Sequence, residues 1–194
     1  DHRCGEGAGL RRRGERIGAL ELHIGGVHAD SPLQPDRMVL DLDPAPDVPF
    51  ARVIEAAREL RRRLQRDGLT SFVMTTGGKG LHVVVPLDDG AGFNEAGELA
   101  TQIGALLCRR HPDIMTMEFY KKDRKGRVFL DTMRNQAGST VVAPYSLRGT
   151  SRAPVSAPIE WSELDTIAPD EITIRDVRAR IDKLGDPWAK LRAK

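Results

Sequence analysis

An apolar run that closes on two aspartates one residue apart, Met38-Val39-Leu40-Asp41-Leu42-Asp43-Pro44, constrains this chain most. Successive side chains on a strand alternate faces, so Met38, Leu40 and Leu42 point one way while Val39, Asp41 and Asp43 point the other. One face can bury while two carboxylates converge on the opposite face. Like charges that close repel, and a bridging divalent cation is one common way to offset the repulsion. A second run, Arg127-Val128-Phe129-Leu130-Asp131, also ends on an acid. Three carboxylates at strand ends suit a one- or two-metal site for phosphoryl transfer. The plainer reading is that Asp-Pro and Asp-Thr stop strands, since aspartate favours turns. For Asp41 and Asp43 in isolation both readings stand.

The 194 residues are 40% apolar and 30% charged, which allows one domain, or one with an extension, around a substantial core. No apolar stretch approaches the ~20 residues of a membrane span, and no secretory leader opens the sequence. The two cysteines, Cys4 and Cys108, are far apart, which fits a reducing cytoplasm and gives no disulfide framework. His2 and Cys4 have no second pair at zinc spacing. A cytoplasmic protein without a membrane partner is therefore expected.

The net charge of +2 hides an uneven distribution. Arg11, Arg12, Arg13 and Arg16 crowd the start, and Arg58, Arg61, Arg62, Arg63 and Arg66 load one helix. Lys121, Lys122, Arg124, Lys125 and Arg127 lead directly into the Asp131 strand. Basic clusters beside an acidic metal site suit a polyphosphate or nucleic-acid substrate, although each alone reads first as a solvated face.

Residues 1–16 are rich in Gly and Arg, lack periodicity and read as a disordered extension. A strand is expected at Ala19–His23. A helix follows from about Pro49 to Asp67, with Val53, Ala57, Leu60 and Leu64 on one face and Gly68 as its stop. Strands Ser71–Thr76 and Leu81–Pro86 flank Gly77-Gly78-Lys79-Gly80 as a tight hairpin. A second helix spans about Asn94–Arg109, burying Leu99, Ile103, Leu106 and Leu107. Thr116–Tyr120 and Arg127–Asp131 read as another hairpin, residues 143–170 are punctuated by Pro and Ser, and a last helix covers about Thr173–Leu184, closed by Gly185. Strand pairs alternating with helices predict an α+β, or mixed α/β, fold.

The segment Thr75-Thr76-Gly77-Gly78-Lys79-Gly80-Leu81-His82 is the second chemical constellation. Glycines let the backbone approach an anion, a hydroxyl and amides can hold phosphate oxygens, and a lysine neutralises charge. It is not a Walker loop, because a strand rather than a helix follows and the G-x-x-x-x-G-K spacing is absent. His82 alternates with Val83 and Val85, so a packed structural histidine is the plain alternative to a ligand contact.

Five segments occur in order: Leu20-Glu21-Leu22-His23, Asp41-Leu42-Asp43-Pro44, Thr76-Gly77-Gly78-Lys79-Gly80-Leu81-His82, Phe129-Leu130-Asp131-Thr132-Met133-Arg134-Asn135 and Ala143-Pro144-Tyr145-Ser146-Leu147-Arg148. This series resembles the polymerase domain of bacterial ATP-dependent DNA ligase D, an end-joining repair enzyme of the archaeo-eukaryotic primase superfamily. The likeness runs from about Gly18 to the C-terminus, and Ala157-Pro158-Ile159-Glu160-Trp161-Ser162-Glu163-Leu164 extends it beyond the catalytic core.

The resemblance implies a primase-like catalytic core over residues 18–194, after an atypical extension at 1–17. It implies that Asp41, Asp43 and Asp131 hold two divalent cations, Mn2+ or Mg2+. Thr76, standing where the family more often has Ser, and His82 would contact the nucleotide's phosphates. His23 would be a second active-site histidine, and Arg134 and Arg148 would face the incoming nucleotide, with Lys79 in the same loop. It implies addition of ribo- or deoxynucleotides to a DNA 3′ end in non-homologous end joining. DNA ends, nucleoside triphosphates, a ligase domain and the bacterial Ku end-binding protein are the implied partners, in a nucleoid-associated setting.

The sequence departs from that pattern in two places. Residues 1–17 do not look like the family, whose domain extends further upstream, and Gly25-Gly26 replaces a more aromatic stretch. A truncated, non-catalytic DNA-end-binding remnant is therefore the alternative. A D-x-D phosphatase fits less well, because Pro44-Ala45-Pro46 follows where a spacer and Thr or Val belong. Ligase chemistry is not expected, since no Lys-x-Asp-Gly nucleotidylation motif occurs.

Overall fold

The computed structural model describes residues 20–28 and 30–192. The extension expected at 1–17 and the first arginine cluster lie outside them. In chain order, β1 (His23–Ile24), β2 (Val27–His28), β3 (Ser31–Pro35) and β4 (Arg37–Pro44) lead into helix α1 (Phe50–Arg66). Strands β5 (Phe72–Thr75) and β6 (Leu81–Pro86) precede helix α2 (Phe93–Arg110). Strands β7 (Met115–Thr116), β8 (Val128–Asp131), β9 (Val141–Val142) and β10 (Pro158–Ile159) follow, then helices α3 (Val177–Leu184) and α4 (Ala189–Arg192). The α+β expectation holds.

Six strands form the main sheet in the order β10-β5-β6-β4-β8-β7, with β1-β9 and β2-β3 as separate two-stranded pairs. Strand β4 is central because its alternation lets it bury one face and work with the other. Met38, Leu40 and Leu42 are fully buried against Leu81, Val83 and Val85 of β6 and Val128 and Leu130 of β8. Helices α1 and α2 cover this face, contributing Val53, Ala57, Leu60, Leu64, Ile103 and Leu107. Truncating Leu40 or Leu130 to Ala would cost about 2–5 kcal/mol, the usual penalty for a large core cavity. The opposite face carries a smaller cluster, Val39, Met74, Val84, Val142 and Trp188. Beside it the polar side chains of β4, β6 and β8 are left over.

Helix α1 matches its sequence pattern closely. Its four expected apolar positions are all buried, and Arg63 and Arg66 sit in the last turn, where the helix dipole favours cations. At its end the Leu69 N–H bonds to the Leu64 carbonyl at 2.9 Å and Gly68 N–H to Gln65 at 3.1 Å, with Gly68 at φ +75°. These are the paired bonds of a Schellman stop, which needs a residue at ease with positive φ. Four of the five clustered arginines of α1 engage neighbours. Arg58 pairs with Asp165, Arg62 with Glu59 and Arg63 with Asp67, while Arg61 lies over the Trp161 ring at 4.8 Å.

Several boundaries differ from expectation. The first strand is only His23–Ile24, paired with Val141–Val142. In α2, Ile103 and Leu107 are buried but Leu99 and Leu106 are only partly so. The last helix starts at Val177, because Thr173 uses its own N–H and hydroxyl to grip Asp176 in a turn. The expected hairpin of 116–120 with 127–131 does not form. Strand β7 is two residues long and runs parallel to β8, pairing Met115 with Val128 and Thr116 with Phe129. The intervening chain turns through a 3-10 segment at Lys121–Asp123 and closes at Lys125 (φ +49°) and Gly126 (φ +71°). The Lys-Lys-Asp-Arg run favours that looped excursion over a strand.

Candidate active site

The left-over face opens into a cleft of about 500 Å³. All nine residues singled out in the sequence line it: His23, Asp41, Asp43, Thr76, Lys79, His82, Asp131, Arg134 and Arg148. They arrive from five segments of the chain, brought together because strand register aligns β4, β6 and β8 at one end of the sheet.

Asp41 is the register partner of Asp131 on β8 and of His82 on β6. Directly opposed residues on one face lie close enough for their side chains to interact. Asp41 Oδ2 is 3.6 Å from His82 Nε2, and Arg134 Nε lies 3.1 Å from Asp131 and 3.9 Å from Asp41. The Met133 N–H donates to Asp131 Oδ1 at 2.8 Å. Asp43, two residues along β4, opposes Phe129 and accepts from Arg124 at 2.9 Å.

These neighbours push the two central acids in opposite directions. Burial works to raise the Asp41 pKa, but the adjacent His82, with Arg134 and Arg124, outweighs it and holds the group below its ordinary value. Burial wins at Asp131 and raises it, against the Met133 N–H and Arg134, with Asp41 and Asp43 adding to the rise. The split follows mainly from unequal surroundings, His82 beside Asp41 and burial at Asp131, with the neighbouring carboxylates a smaller contribution at Asp131.

Oxygen donors of this type suit a hard divalent cation. In the present rotamers Asp43 is turned to Arg124, and among the described residues no three acid, His or Cys groups gather tightly enough to hold an ion. The donor chemistry fits. Assembling the set requires freeing Asp43 from Arg124 and Asp131 from Arg134.

The glycine segment is a hairpin loop of residues 76–80 between β5 and β6, with the Thr75–Leu81 pair at its neck. The Thr76 hydroxyl is used within it: Oγ1 accepts from the N–H groups of Gly78 and Gly80, each at 3.3 Å, and lies 3.2 Å from the Gly80 carbonyl. It therefore shapes the loop as well as lining the cleft. Gly77 has φ +67°, and a Cβ there would sit 2.7 Å from Arg148 Cγ. Gly80 packs so tightly on β4 that a Cβ would meet the Leu42 carbonyl oxygen at 2.4 Å. Arg148 lies across Gly77 and donates to the Thr76 carbonyl at 3.2 Å. The Lys79 ammonium reaches the Pro46 carbonyl at 3.5 Å. Among the described residues the buried His82 Nδ1 has no hydrogen-bond partner.

Sequence reasoning missed two residues. Arg124 was one of a run of basic residues, yet it is the buried one, 4% exposed. It packs over the Phe129 ring at 4.4 Å and donates to the carbonyls of Glu118 and Phe119. Nothing in a basic run marks which member turns inward. Glu21 bridges the two ends of the cleft: it lies 3.7 Å from His23 and 3.4 Å from Arg148 and accepts from the Gly149 N–H at 2.9 Å. That N–H is the main cause of its lowered pKa, with Arg148 and His23 adding to the effect of the bond and burial opposing it. Its place two residues before His23 in Leu-Glu-Leu-His, on the same side of an extended chain, was the available signal.

The comparisons with known proteins agree with one another. Residues 10–188 match the family described as "LigD, primase-polymerase domain". The multifunctional non-homologous end joining protein LigD of Pseudomonas aeruginosa is 36% identical over 177 residues, 90% of this chain and 21% of that protein. The bifunctional non-homologous end joining protein LigD of Bacillus subtilis is 35% identical over 172 residues, 88% of this chain and 28% of that protein. The chain thus spans between a fifth and a third of the length of these relatives. The polymerase domain of Mycobacterium tuberculosis ligase D, solved in complex with DNA, superimposes with a TM-score of 0.82 at 36% identity. That match covers 91% of this chain and 64% of the other. Among the described residues no helix is long and apolar enough to cross a membrane. By sequence and by fold, the chain belongs to the LigD primase-polymerase family.

Proposed function

We propose that this chain is a nucleotidyltransferase that adds ribo- or deoxynucleotides to a DNA 3′ end in non-homologous end joining. The observation that carries this reading is the register of Asp41 opposite Asp131, with Asp43 on the same strand face, inside the cleft that also holds the glycine loop and Arg148. Asp41, Asp43 and Asp131 would hold two divalent cations, Mn2+ or Mg2+. Such ions would lower the pKa of the attacking hydroxyl and offset charge on the departing pyrophosphate.

The remaining work falls to the chain itself. Arg148, His82, Lys79 and the loop after Thr76 supply donors and positive charge for a triphosphate. Arg134 is placed to follow the phosphates when it leaves Asp131. His23, backed by Glu21, stands on the β1 side of the same cleft. DNA is the expected polymer because the similar M. tuberculosis domain was solved with it. A ligase domain, Ku and a place at the nucleoid follow from the family.

The test is extension of a DNA primer by the full chain with Mn2+ and nucleoside triphosphates. Incorporation that is lost in Asp41→Asn supports the proposal. Binding of DNA without incorporation would favour the non-catalytic remnant, and release of inorganic phosphate from a simple phosphoester would favour the D-x-D phosphatase.

A further inference from the structure

Strand β4 is paired along one edge by β6 from Arg37 to Leu42, but along its other edge β8 begins only at Asp41. Val39, two residues earlier, lies beyond the point where β8 has ended. It is buried, so its peptide groups must find partners other than water. The Asn135 side chain supplies both. Its Oδ1 accepts from the Val39 N–H at 2.6 Å, and its Nδ2 donates to the Val39 carbonyl at 2.8 Å. The same Nδ2 donates to the Thr132 carbonyl at 2.8 Å.

One buried amide therefore stands in for the missing next residue of β8 and fastens the turn at 132–135 to the central strand. That turn carries Arg134 and presents the Met133 N–H that holds Asp131. Asn135 is 4% exposed and does not line the cleft. The geometry points to Asn135 as a positioning residue that sets the distance of Asp131 and Arg134 from Asp41. The inference rests on the metal-dependent reading given above.

The chemistry of the position is narrow. Alanine removes all three bonds. Aspartate keeps the shape and the acceptor for the Val39 N–H, but it sets a carboxylate oxygen against the Val39 and Thr132 carbonyls. In both cases the turn should loosen and the acids lose their fixed spacing.

The decisive measurement is Mn2+ binding to the full chain, followed by the EPR signal of free Mn2+, beside thermal unfolding. It compares the wild type with N135A, N135D and L164A. Leu164 is a buried core residue outside the cleft, so L164A reports what general destabilisation does. Both Asn135 variants should raise the Mn2+ dissociation constant by about 10–100-fold, the usual consequence of losing a group that orients metal ligands. L164A should leave it unchanged even where its unfolding temperature falls as far. If N135A does not fold, N135D carries the same comparison. Wild-type Mn2+ affinity in the folded Asn135 variants would overturn this inference alone, as would an equal loss in L164A. A wild type that binds no Mn2+ would overturn the functional reading and this inference with it.

Discussion

The Arg124 guanidinium meets Asp43 at 2.9 Å with 4% of the arginine side chain exposed, against 48% for the aspartate. The cation is the buried partner and the acid the accessible one, so an incoming divalent ion can compete for Asp43 while Arg124 stays bonded to the Glu118 and Phe119 carbonyls. Arg124→Gln should then do two separable things. Losing the charged bonds to the Glu118 and Phe119 carbonyls should lower stability by about 1–3 kcal/mol. Releasing Asp43 from its counter-charge should tighten Mn2+ binding. Thermal unfolding and a Mn2+ titration of the same preparation check both, and unchanged Mn2+ affinity would mean that Arg124 does not restrain Asp43.

Arg148 and Asp41 should fail in different ways. Arg148→Ala removes a cationic donor from the cleft and should raise the apparent nucleotide KM by a factor equivalent to about 1.5–3 kcal/mol. Part of that is offset because Arg148 already faces Glu21 in the free protein. Asp41→Ala should abolish turnover at any nucleotide concentration. Steady-state primer extension distinguishes them, and equal mild effects would refute both assignments.

The glycines give a paired test of the loop. Gly68 and Gly77 both have positive φ, at +75° and +67°. An alanine at either carries the left-handed backbone cost of about 1–2 kcal/mol. A Cβ at Gly68 meets nothing within 4 Å, whereas at Gly77 it would collide with Arg148. Gly68→Ala should therefore lower stability and leave the nucleotide KM alone. Gly77→Ala should lower stability and raise KM, because Arg148 must move.

Much of this was legible in the sequence, for a physical reason. The alternation of Met38 to Asp43 has a period that only a half-buried strand satisfies, and it correctly assigned each side chain to its face. The helix over 50–66 was equally clear, because its apolar spacing and its Gly68 stop agree. The β7–β8 pairing was not legible. A parallel ladder between segments twelve residues apart leaves no local mark, and Thr116–Tyr120 looks like any short strand. Arg124 escaped for a related reason: inward rotation of one arginine in a basic run is decided by the Phe129 ring and two carbonyls, all set by tertiary packing. The resemblance gives the Thr76 hydroxyl a phosphate contact; its bonds within the turn, which add a loop-shaping role while Thr76 lines the cleft, could not be read from the segment alone.

Cys108 offers a pH test away from the cleft. Burial pushes its thiol up to about 11, with Arg127 opposing. A thiol near 8.5 when unfolded and higher when folded favours the folded state only while it stays protonated. That contribution is complete below pH ~8.5 and is lost as pH rises towards the folded value. Cys108→Ser should therefore flatten the fall in unfolding temperature on the alkaline side. Alkylation of the Cys108 peptide, followed by mass spectrometry, should be slow at pH 8 and quicken above it.

The most direct test of the central claim is to locate Mn2+ by anomalous diffraction in crystals of the chain grown with Mn2+ and a non-hydrolysable nucleoside triphosphate. The account predicts Mn2+ between Asp41, Asp43 and Asp131, with Asp43 turned away from Arg124 and the triphosphate against residues 76–80 and Arg148. Triphosphate bound elsewhere, or a cleft in which Asp43 remains paired to Arg124 and no Mn2+ is ordered, would contradict it.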